Sequence, residues 1–136
     1  MSSSAQTFRT VTELDHARIR SLVRREPGAM ASDIAEVIDS ADLVRSQEVP
    51  ANVVTMNSQV VVADVHSGGQ RTLTLCYPAD TDPAAGLVSV LSPVGGSLLG
   101  LPVGAIASWT APDGTRVAAQ VLAIVFQPEA SGNYVL

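Results

Sequence analysis

Apolar residues near the N-terminus recur at the spacing of a helix. They form an imperfect stripe: Val11, Leu14, Ile19, Leu22 and Val23. Thr12 stands at the start of this stripe with Asp15 three residues later, a pattern typical of a helix capping box. We therefore predict a helix over residues 12–25. It should stop at Pro27 and Gly28, because proline disfavours helix in the residue before it.

A second and cleaner helical stripe follows. Its apolar positions are Ile34, Val37, Ile38, Ala41 and Val44. Their intervals of three and four residues line one face of a helix. Asp33 and Glu36 repeat the capping pattern, so we expect the second helix to begin near Asp33 and the segment to end at Pro50. Two helices joined by a short loop with proline and glycine predict an antiparallel helical hairpin.

From Val53 onward the pattern changes to the β-branched, alternating composition of strands. We predict five strands, over residues 60–65, 71–77, 87–91, 105–110 and 117–126. Pro112-Asp113-Gly114 predicts a hairpin turn, because Asp-Gly supplies the positive φ angles of a tight turn. The expected fold is α+β: a short helical hairpin over residues 1–49, then a mostly antiparallel five-stranded sheet domain with one short helix over residues 50–136.

The short helix of the sheet region has clear start and stop signals. Ser92 can cap its first turn, and Pro93 suits the first position because the missing N–H of proline would be unpaired there. Gly100 stands where the end of a helix favours a residue with positive φ. The stretch from Ser92 to Gly104 contains no side chain that performs acid/base or nucleophilic chemistry by itself, which indicates docking rather than catalysis.

Charge and composition narrow the classes of function. The chain of 136 residues has a net charge of −5, which disfavours direct binding to a nucleic-acid backbone. Residues 86–111 carry no charged side chain at all. The single cysteine, Cys76, excludes an intramolecular disulfide. The N-terminus lacks the basic and apolar regions of a signal peptide, so we expect a cytoplasmic protein.

Residues for catalysis or cofactor binding are few. His16 and His66 are linked by no motif to Cys76 or to a serine, and we expect no enzyme activity and no cofactor. Cys76 within a strand is expected to be a small buried apolar residue. Asp64, together with Asp80 and Asp82 in a proline-rich loop, is expected to be a solvated acid rather than a metal ligand.

The tip of the predicted hairpin leaves two interpretations open. Glu26 precedes the Pro27-Gly28 turn and Asp33 follows it, so two carboxylates there could jointly hold magnesium in the active site of another protein. Alternatively, Asp33 caps the second helix, where an acid favours the helix dipole. The two helices also carry a series of arginines: Arg18, Arg20, Arg24, Arg25 and Arg45. This basic stripe is either a docking face for an acidic partner or a solvated face.

Several short motifs are similar to one bacterial family. They are Val53-Val54-Thr55-Met56-Asn57-Ser58, Tyr77-Pro78-Ala79, Ser92-Pro93-Val94-Gly95, Leu98-Leu99-Gly100-Leu101-Pro102-Val103-Gly104 and the tail from Gln127 to Leu136. Together they resemble the GreA/GreB family of transcript-cleavage factors, with a match that is good over residues 50–136 and only general over the helices. The resemblance implies an FKBP-like C-terminal domain that docks on RNA polymerase at the rim of its secondary channel. The polymerase-binding residues it implies are Ser92, Pro93, Val94, Gly95, Leu98, Leu99 and Gly100.

The predicted hairpin departs from the family pattern. In the cleavage factors a long coiled coil enters the channel, and its acidic tip helps to bind catalytic magnesium. Helices of 12 to 14 residues span only about 20 Å, which is too short to reach a buried active centre. With this short arm, the resemblance implies regulation of elongation by competition with cleavage factors, without cleavage. The alternative is a true cleavage factor that uses Glu26 and Asp33.

A third reading follows from the FKBP-like label. Peptidyl-prolyl isomerase activity needs an apolar pocket lined by several aromatic rings. The aromatic residues of the chain are few: Phe8, Tyr77, Trp109, Phe126 and Tyr134. We therefore expect no isomerase activity. The apolar tail Tyr134-Val135-Leu136 is expected either to complete the core or to pair with a partner chain.

Overall fold

The computed structural model describes residues 8–134 and has the predicted α+β architecture. Its helices and strands, in chain order, are β1 (Thr10–Thr12), α1 (Glu13–Arg25), α2 (Ala29–Ser40), β2 (Asp42–Val44), β3 (Gln59–Asp64), β4 (Gln70–Cys76), β5 (Leu87–Ser89), α3 (Pro93–Leu98), β6 (Ile106–Thr110) and β7 (Arg116–Phe126). Residues 135 and 136 of the apolar tail lie outside the described residues. Within the described range, no helix is long and apolar enough to cross a membrane.

Helix α1 begins and ends where its sequence signals predict. The backbone N–H of Asp15 donates to the Thr12 hydroxyl at 3.0 Å, so Thr12 is the N-cap. At the other end, the N–H of Glu26 donates to the carbonyl of Leu22 at 2.9 Å, and Pro27 follows. The predicted helix over 12–25 is therefore confirmed to within one residue.

Helix α2 begins earlier than its capping pattern predicts. Gly28 is the N-cap, and its carbonyl accepts the N–H of Ser32 at 3.0 Å. Asp33 therefore lies in the second turn and does not cap the helix. The Ala-Met-Ala segment after Gly28 consists of good helix formers, which explains the earlier start. The helix ends at Ser40, and the prediction that helical spacing continues to Val44 is wrong. Residues Asp42–Val44 instead form β2, which pairs in parallel with β1.

The main sheet has five strands in the order β5-β4-β3-β7-β6. Strand β3 pairs antiparallel with β4 and β7, and β6 pairs antiparallel with β7, whereas β5 runs parallel to β4. The β6–β7 turn is the predicted one, with Gly114 at φ 88° and the Asp113 carboxylate accepting the N–H of Thr115 at 2.9 Å. The mostly antiparallel sheet is therefore confirmed, and β6 and β5 are its two edges.

One continuous core joins the helical hairpin to the sheet. Its buried members include Ile19 and Leu22 of α1, Ile34 and Ile38 of α2, and Val60, Leu75, Leu98 and Val121 of the sheet region. The inward faces of α1 and α2 therefore lose water against the same apolar cluster as the sheet, which stabilises their position. The division at residues 49 and 50 remains a prediction about domain organisation.

Candidate partner-docking site

The Ser92 corner is built by two hydrogen bonds of a single side chain. The Ser92 hydroxyl accepts the N–H of Gly95 at 3.1 Å and donates to the carbonyl of Ser89 at 2.6 Å. This confirms Ser92 as the N-cap of α3, with Pro93 in the first turn. Gly95 lies so close to β5 that an added Cβ would overlap the carbonyl oxygen of Ser89. The corner therefore holds α3 tightly against the strand that precedes it.

Gly100 terminates α3 as predicted. It adopts a φ of 81°, and its N–H donates to the carbonyl of Val54 at 2.8 Å. A Cβ at this position would lie 3.0 Å from the carbonyl oxygen of Thr10. Arg9 lies beside this end of the helix and donates to the carbonyls of Ser97 and Leu99, the latter at 2.7 Å. A cation at the C-terminal end of a helix satisfies carbonyls that have no partner within the helix.

The structure corrects the predicted docking residues at the far end of α3. Leu98 and Leu99 are each 1% exposed and belong to the core, and Gly95 and Gly100 are also buried. The expectation that Leu98 and Leu99 present a docking surface is therefore wrong. These two side chains lie against the sheet because α3 is only six residues long and must bury its apolar end to be stable.

The accessible part of the segment is its N-terminal half. Pro93 is exposed, and Ser92, Val94 and Ser97 are half-buried. None of these side chains carries charge, so the free-energy cost of removing water from them is small. Of the predicted polymerase-binding residues, Ser92, Pro93 and Val94 remain able to contact a partner directly.

A groove lies beside this accessible half, between α2, α3 and β6. It has a volume of about 380 Å³, and its lining includes Met30 and Ile34 of α2, Pro93 and Gly96 of α3, and Trp109 of β6. Its charged lining residues are Arg9, Asp33 and Arg116. The groove therefore combines apolar side chains with polar ones and has charges of both signs.

A second cleft lies between α1 and the turn after β4. Its volume is about 420 Å³, and Arg18, Arg25 and Glu26 line it opposite Tyr77 and Pro78. The structure thus places the two predicted tip carboxylates in different depressions: Glu26 lines this cleft, whereas Asp33 lines the groove beside α3. The two acids do not face a common space.

Part of the predicted basic stripe is used within the hairpin itself. Arg20 of α1 forms an ion pair with Asp39 of α2, and His16 Nε2 lies 3.8 Å from the same carboxylate. Arg24 and Arg25 are exposed near the end of α1, where cations complement the helix dipole. The stripe therefore combines a contact between the two helices with a solvated face.

A buried carboxylate connects α1 to the sheet region. Asp15 is 3% exposed, and its Oδ2 accepts the N–H of Met56 at 3.2 Å. Burial raises the pKa of Asp15 to about 6, and the nearby charge of Glu129 acts in the same direction. Glu129 in turn accepts the Thr55 hydroxyl at 2.7 Å.

Sequence reasoning assigned Asp15 only to a capping box. Its position on the same helical face as Ile19 and Leu22, four and seven residues later, was the signal that its carboxylate would be buried. The Asp15 carboxylate stays hydrogen-bonded to the cap residue Thr12 and also accepts an N–H of the sheet region, which makes Asp15 a polar link between the hairpin and the sheet.

The remaining candidates for chemistry do not form a site. Cys76 is buried, as predicted, and its thiol donates to the carbonyl of Val88 at 3.4 Å. The Asp64 carboxylate accepts the N–H groups of His66 and Ser67, so it stabilises a turn. Asp80 lies in a short helical turn after β4. Within residues 8–134, no group of three or more histidine, cysteine or acidic residues is arranged to hold a metal ion.

The fold and the Ser-Pro-capped corner define the C-terminal domain class of bacterial elongation factors. The family described as "Transcription elongation factor, GreA/GreB, C-term" matches residues 49–126. The chain therefore belongs to the GreA/GreB family and is a regulator of the transcription-elongation-factor type. The resemblance stated from its motifs is confirmed.

Individual proteins and a solved structure of this family are similar to the chain. It is 38% identical over 130 residues to the "Regulator of nucleoside diphosphate kinase" of Escherichia coli K12, covering 93% of this chain and 95% of that protein. The solved structure of a GreA/GreB elongation factor from Nitrosomonas europaea is 30% identical, with a TM-score of 0.75, over 89% of this chain and 100% of the other. The GreA factor of Flavobacterium johnsoniae is 34% identical over 82 residues, or 60% of this chain and 52% of that factor.

Proposed function

We propose that this protein binds RNA polymerase near its secondary channel and regulates elongation by competing with transcript-cleavage factors, without cleaving transcripts and without other enzyme activity. Membership of the GreA/GreB family supports RNA polymerase as the partner. The observation that carries the proposal is a difference within the chain. The family's Ser-Pro corner is complete and accessible, whereas the helical arm beside it is short.

The docking surface in this proposal is the accessible half of α3. Pro93 is exposed, Ser92 and Val94 are half-buried, and the hydrogen bonds of Ser92 hold the turn rigid. A rigid, uncharged corner loses little conformational entropy and little hydration when a partner covers it. The buried Leu98 and Leu99 support this surface from the core rather than contacting the partner.

The absence of cleavage in this proposal rests on reach and on the positions of the acids. Helix α1 has 13 residues and α2 has 12. At 1.5 Å per residue these helices extend about 20 Å. Two carboxylates that share a magnesium ion must each come within about 2.1 Å of it, but Glu26 and Asp33 line different depressions.

Direct binding to core RNA polymerase tests the docking surface. Glutamate is compatible with the first turn of a helix, so Pro93→Glu should preserve α3 while placing an unfavourable charge in the contact. We expect this variant to bind polymerase at least about tenfold more weakly, the effect of roughly 1.4 kcal/mol. Pro93→Ala is the matched control and should bind like the wild type. Equal binding by Pro93→Glu, with an unchanged circular dichroism spectrum, would contradict this docking surface.

A backtracked elongation complex with magnesium tests the absence of cleavage. We expect no shortened transcripts above those of polymerase alone when the protein is added. If transcripts shorten, and if Glu26→Gln with Asp33→Asn removes that effect, the cleavage-factor alternative is correct. A prolyl-isomerisation assay on a peptide substrate should likewise show no rate above background, because Trp109 alone among the aromatic residues lines the groove.

A further inference from the structure

Strand β6 has a free edge. It lies at the end of the sheet, and within the described part of the chain it pairs with β7 alone. The N–H of Val121 donates to the carbonyl of Ala105 at 2.9 Å, and the N–H of Ala111 donates to the carbonyl of Thr115 at 2.8 Å. Because backbone groups alternate in direction along a strand, the odd-numbered residues of this stretch face β7. The backbone N–H and C=O groups of Ser108 and Thr110 therefore face away from the sheet.

The groove beside α3 runs along this free edge. Ser108, Trp109 and Thr110 all line it, and within residues 8–134 no backbone hydrogen bond from another segment reaches Ser108 or Thr110. The opposite wall presents the apolar side chains of Met30, which is 49% exposed, and Ile34, with Asp33 beside them. A row of unpaired backbone groups next to an apolar wall is the arrangement that binds extended peptides by strand addition.

The charges around the groove specify the chemistry of an occupant. Among residues 8–134, the hydrogen bonds of the Arg116 guanidinium go to neutral oxygens, the Thr110 hydroxyl at 2.9 Å and the Ser108 hydroxyl at 3.4 Å. No ion pair within residues 8–134 neutralises it or the Asp33 carboxylate on the opposite wall. An extended segment with an acidic side chain on the β6 side would complement Arg116.

We propose that this groove binds an extended segment of a partner protein, which adds to β6 as a further strand. The segment inserts an apolar side chain between Trp109 and Met30, and it places an acidic side chain beside Arg116. Its backbone pairs with the outward N–H and C=O groups of Ser108 and Thr110. This inference does not rest on the binding of RNA polymerase, although Pro93 borders the same groove.

Selection from a random library of displayed linear peptides on the full chain tests the inference. We expect enrichment of peptides that combine an acidic residue with a large apolar residue. In the complex with the most enriched peptide, hydrogen exchange at the amides of Ser108 and Thr110 should slow. Nuclear Overhauser contacts should also join the peptide backbone to β6. The absence of any enriched peptide, or contacts that map to the cleft beside α1 instead, would overturn the proposal.

Two variants separate strand addition from general surface binding. Ser108→Pro removes an outward N–H without removing a β6–β7 ladder bond, and proline is tolerated on sheet edges. The proline variant should bind the peptide at least about tenfold more weakly, because it lacks a hydrogen bond to the peptide and its ring blocks the strand edge. Both substitutions remove the Ser108 hydroxyl, but Ser108→Ala keeps the backbone N–H. The alanine variant should therefore bind the peptide within about twofold of the wild-type affinity. Equal binding by the proline variant would overturn the inference.

Charge reversal at Arg116 gives a second readout if the proline variant does not fold. Arg116→Glu should weaken binding of the acidic peptide, whereas Arg71→Glu should not, because Arg71 is an exposed residue of β4 away from the groove. An equal loss in both variants would contradict a specific contact with Arg116. Equal polymerase binding by wild type and Pro93→Glu would contradict the polymerase-docking surface alone, whereas equal peptide binding by wild type and Ser108→Pro would contradict strand addition alone.

Discussion

The helical hairpin and the uncharged segment over residues 86–111 present their candidate residues in different ways. In the hairpin, Glu26 and the arginines near the end of α1 lie on the surface, as charged side chains must unless they are paired. In the uncharged segment, exposure changes within a single six-residue helix: Pro93 is exposed, and Leu98 is in the core. Where charge is absent, packing alone decides which residues remain free for a partner.

The largest expected effect on stability is at the buried end of α3. Leu98→Ala should lower the free energy of unfolding by about 2–5 kcal/mol, because it removes buried methyl groups and leaves a cavity. Pro93→Ala, on the exposed end, should change it by no more than about 0.5 kcal/mol. Urea unfolding followed by circular dichroism measures both values. Similar losses in the two variants would contradict the division of α3 into a buried and an accessible half.

A smaller effect concerns the pH dependence of the contact between hairpin and sheet. The pKa of Asp15 is raised from 3.8 to about 6, so the folded state holds this proton more tightly than the unfolded state. The contribution of the protonated Asp15 carboxyl to the free energy of unfolding is therefore fully present below about pH 4. It is lost as the pH rises to about 6 and beyond. Relative to Asp15→Asn, which cannot titrate, the wild type should lose roughly 2–3 kcal/mol across that range. Parallel pH profiles of the two proteins would contradict the assignment.

The smallest effect separates a real helix cap from an apparent one. Thr12→Ala should cost about 1 kcal/mol, because the hydroxyl satisfies the N–H of Asp15. Asp33→Ala should cost less than about 0.5 kcal/mol, since Asp33 lies in the second turn and caps nothing. Thermal or urea unfolding of both variants provides the measurement, and the reverse order would show that α2 begins near Asp33 after all.

Local sequence signals predicted the helix caps and the β6–β7 turn, because these features depend on contacts between residues close together in the sequence. The hydroxyls of Thr12 and Ser92 cap the helices they precede, and the Asp113-Gly114 turn forms where its sequence predicts. Short-range features of this kind depend on neighbours that are adjacent in the sequence.

Apart from the start of α2, the errors of prediction involve partners that are distant in the sequence. Strands β1 and β2 have three residues each and exist because they pair with each other across α1 and α2. The burial of Leu98 and Leu99 likewise depends on packing against the sheet and the hairpin. For the docking site, the sequence located the corner at Ser92 and Pro93 but did not predict which face of α3 is accessible. It also gave no sign of the groove, whose walls come from three separate elements.

A competition assay tests whether this chain occupies the polymerase site of a cleavage factor without cleaving transcripts. A backtracked RNA polymerase complex is incubated with magnesium and a GreA cleavage factor, and transcript shortening is followed as this protein is added. We predict that cleavage slows in proportion to the protein added, and that Pro93→Ala competes equally well while Pro93→Glu does not. Cleavage that stays at the same rate at saturating protein, or that becomes faster, would contradict the claim that this chain occupies the docking site without an active arm.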